Sequence, residues 1–483
     1  MKKPVKPEKG QMKLPLGGEW PGSGSVLSGK EVFPAAKGRS EEWLSDCSAE
    51  RALTCGLMES VSDLSNLERA CRHVISNNGS AGVDGMSVGD LKEWFAMNWR
   101  TLQTSLLDGS YRPAAVLGVQ IPKPTGGYRQ LGIPTVRDRM VQQAIDQVLS
   151  PRYERIFSDH SYGFRPGRSA HQALAEASDE VESGRGVIVD IDLAKFFDEV
   201  NQDRLMWQLG LRIGDKRLLK LMHRFLKSGM LKGGLVSQRT KGTPQGGPLS
   251  PLLSNIVLDE LDKELERRGH SFVRYADDLI VFVSSQRAGY RVLSSMTCYL
   301  ETRLRLKVNK EKSGVRNCSE VNYLGHNLLP DGGLGLSKTS ETRLKEKVKE
   351  ITRRNRGVSL NLVIGKLNSL LRGWVNYFYL ARMISKLRDL YGWIKRKLRC
   401  YRLKQCKRAI TMVRFLSSLG VPRNRAWTTA ASRKGWWRKS QTPAAHEGMN
   451  NKWFVKVGLI NPITIYNGKH SEKPPCTRVR TVV

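Results

Sequence analysis

The run "FVRYADDLIVFV", Phe272 to Val283, sets two adjacent aspartates inside an apolar, β-branched and aromatic stretch. A short run of that composition reads as a buried strand or a pair of them. An unpaired carboxylate buried there is costly, and two side by side also repel. Arg274 is the one cation within the run. The chain must therefore either turn toward solvent at Asp277 and Asp278 or supply a cation for them to share. A solvated hairpin tip meets the first condition. A metal-dependent site meets the second, and it needs partners elsewhere in the chain.

One partner is visible. "SGRGVIVDIDLAKFFDEVN" (183–201) reads as a buried strand that ends in acids, with Asp190 and Asp192 on one strand face. An acid closing one strand, beside an acidic pair on a hairpin, suits Mg2+, a hard cation that takes oxygen ligands. Two such ions serve in-line phosphoryl transfer. Composition points the same way. Lys and Arg number 80 against 45 Asp and Glu, a formal net charge of +35. Self-repulsion on that scale calls for a polyanionic partner, nucleic acid first. The basic residues are spread along the chain and no apolar run is long enough to span a bilayer, which argues against a membrane. The N-terminal "MKKPVKPEKGQMKLPLGGEWPGSGS" carries no apolar core of a secretory signal.

Patterning divides the chain. Residues 1–54 read as a flexible basic leader. Helical periodicity begins near Ser62, and "NNGSAGVDGMS" (77–87) is a Gly/Asn-rich loop between helices, giving an N-terminal extension over 55–115. "VQIPKPTGGYRQLGIP" (119–134) reads as strand, Gly-Gly turn, strand. Residues 136–150 and about 286–305 read as helices, and "KGTPQGGPLSPLLSNIVLDELDKELERRG" as a Gly/Pro-rich lead into another. From about 340 strands give way to Lys/Arg-rich helices that carry Trp and Tyr. The expectation is an α+β core over 116–338, an all-helical basic part over 339–410, and a basic aromatic segment over 411–483.

Five stretches in this order, "KPTGGYRQLGIP" (123–134), "SYGFRPGRSAHQAL" (161–174), "DLAKFFD" (192–198), "TPQGGPLSPLLSNI" (243–256) and "YADD" (275–278), resemble the reverse transcriptases encoded by bacterial group II introns. The likeness spans roughly 60–455. It implies a right-hand polymerase, α+β in class: fingers and an antiparallel palm sheet, then an all-α thumb or maturase domain and a small DNA-binding segment. It also implies two Mg2+ ions on Asp192, Asp277, Asp278 and the Leu193 carbonyl, with Asp192 chosen over Asp190 by its match to the motif. Phe197 would be the aromatic that bars a ribose 2′-OH, and Phe196 would be core. Lys123 and Arg129, otherwise a solvated basic turn, would hold the incoming triphosphate, and Gln245 would contact the nascent pair. Arg165, Arg168, Lys312 and Arg372 would touch nucleic acid. His171 would be structural or a template contact. Trp374, Tyr377 and Phe378 fit a core stripe at helical spacing.

The tail to Val483, with Cys476, His446 and His470, does not match the paired cysteines and histidines of the HNH endonuclease that many relatives carry, so the likeness is to the compact class C lineage. The resemblance implies an RNA-directed DNA polymerase that uses dNTPs, an RNA template and a DNA primer or target. It also implies a maturase that binds group II intron RNA, acts as monomer or homodimer, and is cytoplasmic and associated with the nucleoid when on DNA. A splicing-only RNA-binding protein and a domesticated polymerase in host repair or defence are the alternatives.

Overall fold

The computed structural model describes residues 56–122, 126–239, 241–243 and 246–471. The leader 1–54 lies outside them, as do Lys123 and Gln245.

The apolar run folds as two strands. β6 (Ser271–Tyr275) and β7 (Asp278–Val283) pair antiparallel, with Tyr275 opposite Asp278, so Ala276 and Asp277 form the turn. β3 (Val187–Ile191) lies against β7, and β8 (Gly314–Asn317) lies against β3, giving the order β6-β7-β3-β8. Alternate residues go to opposite faces. Val189, Ile191, Leu279, Val281 and Val283 join the core that holds Val292, Met296 and Leu300 of helix Gln286–Thr302. Ile188, Val273, Ile280 and Phe282 join a second core with Ala173, Leu174, Ala177 and Val181 of helix Ala170–Glu182. With both faces covered, the run has no polar alternation to show, which is why it reads as continuously apolar.

A second four-stranded sheet has the order β2-β1-β4-β5. It contains the expected hairpin of β1 (Val116–Pro122) and β2 (Tyr128–Ile133). β1 also pairs parallel to β4 (Met230–Lys232), which pairs with β5 (Leu235–Ser237). Helix Val136–Tyr153 follows β2 and starts where the Thr135 hydroxyl accepts from the Asp138 N–H. A small sheet of β9 (Asn322–Tyr323), β10 (His326–Leu328) and β11 (Leu334–Leu336) leads to the helical part.

Helices Lys338–Ile351, Leu360–Phe378 and Ile384–Gln405 share one core with the shorter helices that follow: Leu344, Leu367, Ile394 and Leu398 pack with Met412, Leu416, Ala445, Phe454 and Leu459. Residues 411–459, part of the segment expected over 411–483, thus share this core. Helices of four to ten residues bury too little to stand alone. The last helix, Pro462–Ser471, returns to the start of the helical part. There the Tyr466 hydroxyl donates to the Ala381 carbonyl at 3.0 Å and Tyr466 packs with Leu336, Phe378 and Leu387. Among the described residues no helix is long and apolar enough to cross a membrane.

Candidate active site

Asp192 follows β3 directly, and Asp277 and Asp278 sit at the β6–β7 turn. Because β3 and β7 are antiparallel with Ile191 opposite Leu279, the end of β3 and the start of β7 meet at one edge of the sheet. Register therefore brings together carboxylates that are far apart in sequence.

The loop before β8 orients Asp192. Its amide donates to the Ser313 hydroxyl at 2.9 Å, its carbonyl accepts from the Asn309 amide at 2.8 Å, and its Oδ2 accepts from Asn309 Nδ2 at 3.0 Å. Lys312 Nζ stands 3.4 Å from the same Oδ2. Lys312, expected to touch nucleic acid, is paired here with Asp192 while remaining exposed. Asn309 and Ser313 were not among the candidates. Their signal is only their place in "VNKEKS", since a hydroxyl and an amide have no pattern of their own.

Asp190, the rival to Asp192, is taken by Arg316, whose Nη1 lies 2.6 Å from Asp190 Oδ2. Burial still pushes the Asp190 carboxyl above the usual range, although Arg316 pulls it down. The Asp278 carboxyl is pushed up to about 6, first by desolvation in the crowded site and then by the charges of Asp277, Asp192 and Asp190. Asp278 itself reaches solvent, so the repulsion is the part that a neighbouring cation relieves. Leu193 makes an isolated bridge with Val308, whose hydrogen bonds come from Ala194 N–H to the Lys307 carbonyl and from Asn309 N–H to the Asp192 carbonyl. Neither of these bonds uses the Leu193 carbonyl.

These are hard oxygen donors of the right kind for a divalent ion. They do not form a ready cage: among the described residues no three His, Cys, Asp or Glu side chains converge closely enough to hold a metal as they stand. Like charges separate and take other partners, and Lys312 and Asn309 are those partners at Asp192.

Around this edge, Phe196 is 3 % exposed and belongs to the core, whereas Phe197 is half-buried with its ring 5.3 Å from that of Phe196. The Phe197 carbonyl accepts from the Thr243 amide at 2.7 Å. Gly242 permits this approach: at φ +81° it lies where an added Cβ would come within 2.7 Å of the Phe197 carbonyl. Thr243, the first residue of "TPQGG", and Phe197 are thus neighbours. Arg129 is exposed on β2, opposite Ile121. The expected roles of Lys123 and Gln245 fall outside the described residues.

Arg165 corrects its expectation. Its residue is 6 % exposed, and its guanidinium meets Glu154 at 2.8 Å and the carbonyls of Ser161, at 2.7 Å, and Ser158. With its donors consumed inside the fold, it cannot reach a phosphate. Arg168 pairs with Asp159 at 2.5 Å at the surface. His171 joins helix 170–182 to the helical part, its Nε2 2.9 Å from the Tyr377 carbonyl. Asp198, next to Phe197, is exposed.

The helical part carries its cations differently. Arg372 is exposed on helix 360–378. Arg396 lies 3.8 Å from the ring centroid of Trp437, which Lys397 also approaches, at 5.1 Å. Arg402 lies 4.1 Å from that of Phe415. Trp374 and Phe378 pack at 5.0 Å as core, while Tyr377 is 36 % exposed.

Comparison with known proteins agrees in both halves. Residues 121–328 match the family described as reverse transcriptase (RNA-dependent DNA polymerase), and residues 342–417 match the group II intron, maturase-specific domain. Protein YkfC of Escherichia coli (strain K12) is 32% identical over 342 residues, 62% of this chain and 89% of that protein. The group II intron-encoded protein LtrA of Lactococcus lactis subsp. cremoris is 37% identical over 254 residues, 51% of this chain and 40% of LtrA. The putative COX1/OXI3 intron 2 protein of Saccharomyces cerevisiae is 26% identical over 338 residues, 56% of this chain and 38% of that protein. The chain thus spans less than half the length of these two intron-encoded relatives and most of YkfC. A polymerase region followed by a maturase region, with a relative of this identity matched over nearly its whole length, means that the chain belongs to the group II intron-encoded reverse transcriptase and maturase family.

Proposed function

We propose that this chain copies RNA into DNA at the edge formed by Asp192, Asp277 and Asp278, and that its helical part binds group II intron RNA and promotes splicing and retrohoming. The observation that carries the first half is the register of β3 on β7, which joins a strand-end acid to an acidic turn while Lys312 answers Asp192. Asp192, Asp277, Asp278 and the Leu193 carbonyl would hold two Mg2+ ions. Bound there, the ions would supply a Lewis acid for the primer hydroxyl and the departing phosphate.

The chain's own residues do the rest. Asn309 and Ser313 keep Asp192 in one orientation, so the carboxylate does not reorganise during the reaction. Asp278, with its raised affinity for a proton, ionises fully once positive charge arrives. Phe197 presents a ring where a ribose 2′-OH would need a hydrogen-bond partner. Arg129 and Lys123 are the candidates for the triphosphate. The exposed cations after residue 338, Arg372 among them, would neutralise RNA phosphates, which folds the intron by binding alone.

The test is RNA-templated primer extension in Mg2+, beside a splicing assay. Asp277→Ala abolishes extension and leaves RNA affinity within about twofold; retained extension rejects the site. Phe197→Ala admits ribonucleotides by at least about tenfold, a change of about 1.4 kcal/mol; continued exclusion moves the gate elsewhere.

A further inference from the structure

Arg274 is the cation that sits inside the apolar run, yet it does not neutralise Asp277 or Asp278. Its residue is 1 % exposed and its guanidinium turns inward. Nε and Nη2 meet the two oxygens of Asp262 at 2.7 and 2.5 Å. Nη1 donates to the Ala276 carbonyl at 2.8 Å and to Asn255 Oδ1 at 3.0 Å. Asn255, 1 % exposed, uses its other end to donate to the Gly163 carbonyl at 2.9 Å. Gly163 in turn lies so close to the turn that a methyl there would overlap the Ala276 backbone nitrogen. Asn255 and Asp262 are both on helix Ser250–Arg267, two turns apart on one face.

What this set encloses is a costly piece of backbone. Ala276 has φ +59°, the left-handed region. A two-residue hairpin turn needs positive φ at its first central position, and glycine is the residue that supplies it freely. Here alanine occupies that position, so its surroundings must hold it there. A buried ion pair is a poor device for stability alone, because apolar residues of like volume do as well. It is a good device for direction, since the planar guanidinium fixes several hydrogen bonds at set angles.

Building on the proposed polymerase site, we infer that Asn255, Asp262 and Arg274 are positioning residues for nucleotidyl transfer: Arg274, held by Asp262 and Asn255, grips the Ala276 carbonyl and so fixes the turn that carries Asp277. They touch no substrate. Their effect reaches the reaction through the placement of one carboxylate.

The test uses the full chain on an RNA template with dNTPs and titrated Mg2+. Asn255→Ala cuts the link to Gly163 and leaves the Arg274–Asp262 pair in place. Arg274→Lys keeps the charge and removes the fork. Either variant, provided it folds, lowers kcat at least about tenfold and raises the Mg2+ midpoint at least about threefold, with the dNTP KM and RNA affinity within about twofold of wild type. Mn2+ binding to the protein–primer–template complex, followed by electron paramagnetic resonance, weakens in parallel. Adding Ala276→Gly to Asn255→Ala restores most of the lost kcat, because glycine takes the positive φ without help. A variant that melts earlier but keeps the wild-type kcat and Mg2+ midpoint overturns the inference, and so does a loss that Ala276→Gly does not relieve. Wild-type protein that fails to extend a primer on RNA at all overturns the proposed function instead.

Discussion

The palm sheet and the helical part hold several of their basic side chains in different ways. In the palm, cations are held by the protein's own acids: Arg274 by Asp262, Arg165 by Glu154, Arg204 by Glu260, Arg316 by Asp190 and Lys312 by Asp192. Beyond residue 338 Arg396, Lys397, Arg402 and Lys439 lie over Trp and Phe rings, and Arg396 and Lys439 also donate to the Trp437 and Ala430 carbonyls. A ring leaves a guanidinium its charge and most of its donors, whereas a bidentate carboxylate takes both. Net charge of +35 therefore says little about where nucleic acid lies. The useful quantity is the charge still uncommitted after folding.

The largest test of this contrast is Arg165→Ala. Removing one partner of a mostly buried pair leaves Glu154 and two carbonyls unanswered, and the expected loss is about 3 kcal/mol of stability, measured by denaturant unfolding. The salt dependence of RNA binding should not change. A shift in that dependence without a loss of stability would return Arg165 to the nucleic-acid face.

Next is Asp259, which lies between Asn255 and Asp262 on the same helix. Its Oδ1 is buried without a hydrogen-bond partner among the described residues, and burial, then the Asp262 charge, pushes the carboxyl up to about 7. A raised folded value means that the native state binds the extra proton. The contribution of this carboxyl is therefore fully present below about pH 4, is lost as pH rises toward about 7 and stays lost above it. Asp259→Asn should raise the melting temperature at pH 8 and have little effect at pH 4. An equal gain at both would show that charge is not the cause.

The smallest effect belongs to the helical part. Arg372→Ala should leave stability within about 0.5 kcal/mol. It should lower RNA affinity less than about tenfold and reduce the log–log salt slope by about 0.7 to 0.9, one phosphate contact. An unchanged slope would mean that this face of helix 360–378 does not meet RNA.

Several elements were open to reading from local pattern. The β1–β2 hairpin, the β6–β7 hairpin, helix 136–153 and the division between an α+β core and basic helices follow from alternation, turn residues and composition. The β4–β5 hairpin was not legible. Its strands have three residues each, those of β5 are exposed, and no alternation can develop over so short a length. The parallel pairing of β1 with β4 was equally hidden, because it joins segments more than a hundred residues apart and depends on helices packing between them. Asn309 and Ser313 belong to the same class: nothing near them in sequence says that Asp192 is their partner.

The amino-acid sequence by itself determined the chemistry on offer: an acid ending a strand, an acidic pair inside an apolar run, a lattice of glycines and an excess of cations. These are properties of residues and their immediate neighbours, and neighbours are what a linear pattern records. Tertiary structure alone decided which charges cancel. Arg274 answers Asp262 rather than the aspartates beside it, and Arg316 takes Asp190, leaving Asp192 to the site. Coulomb attraction and desolvation act over a few ångströms of space, and only the folded packing sets which groups come that close.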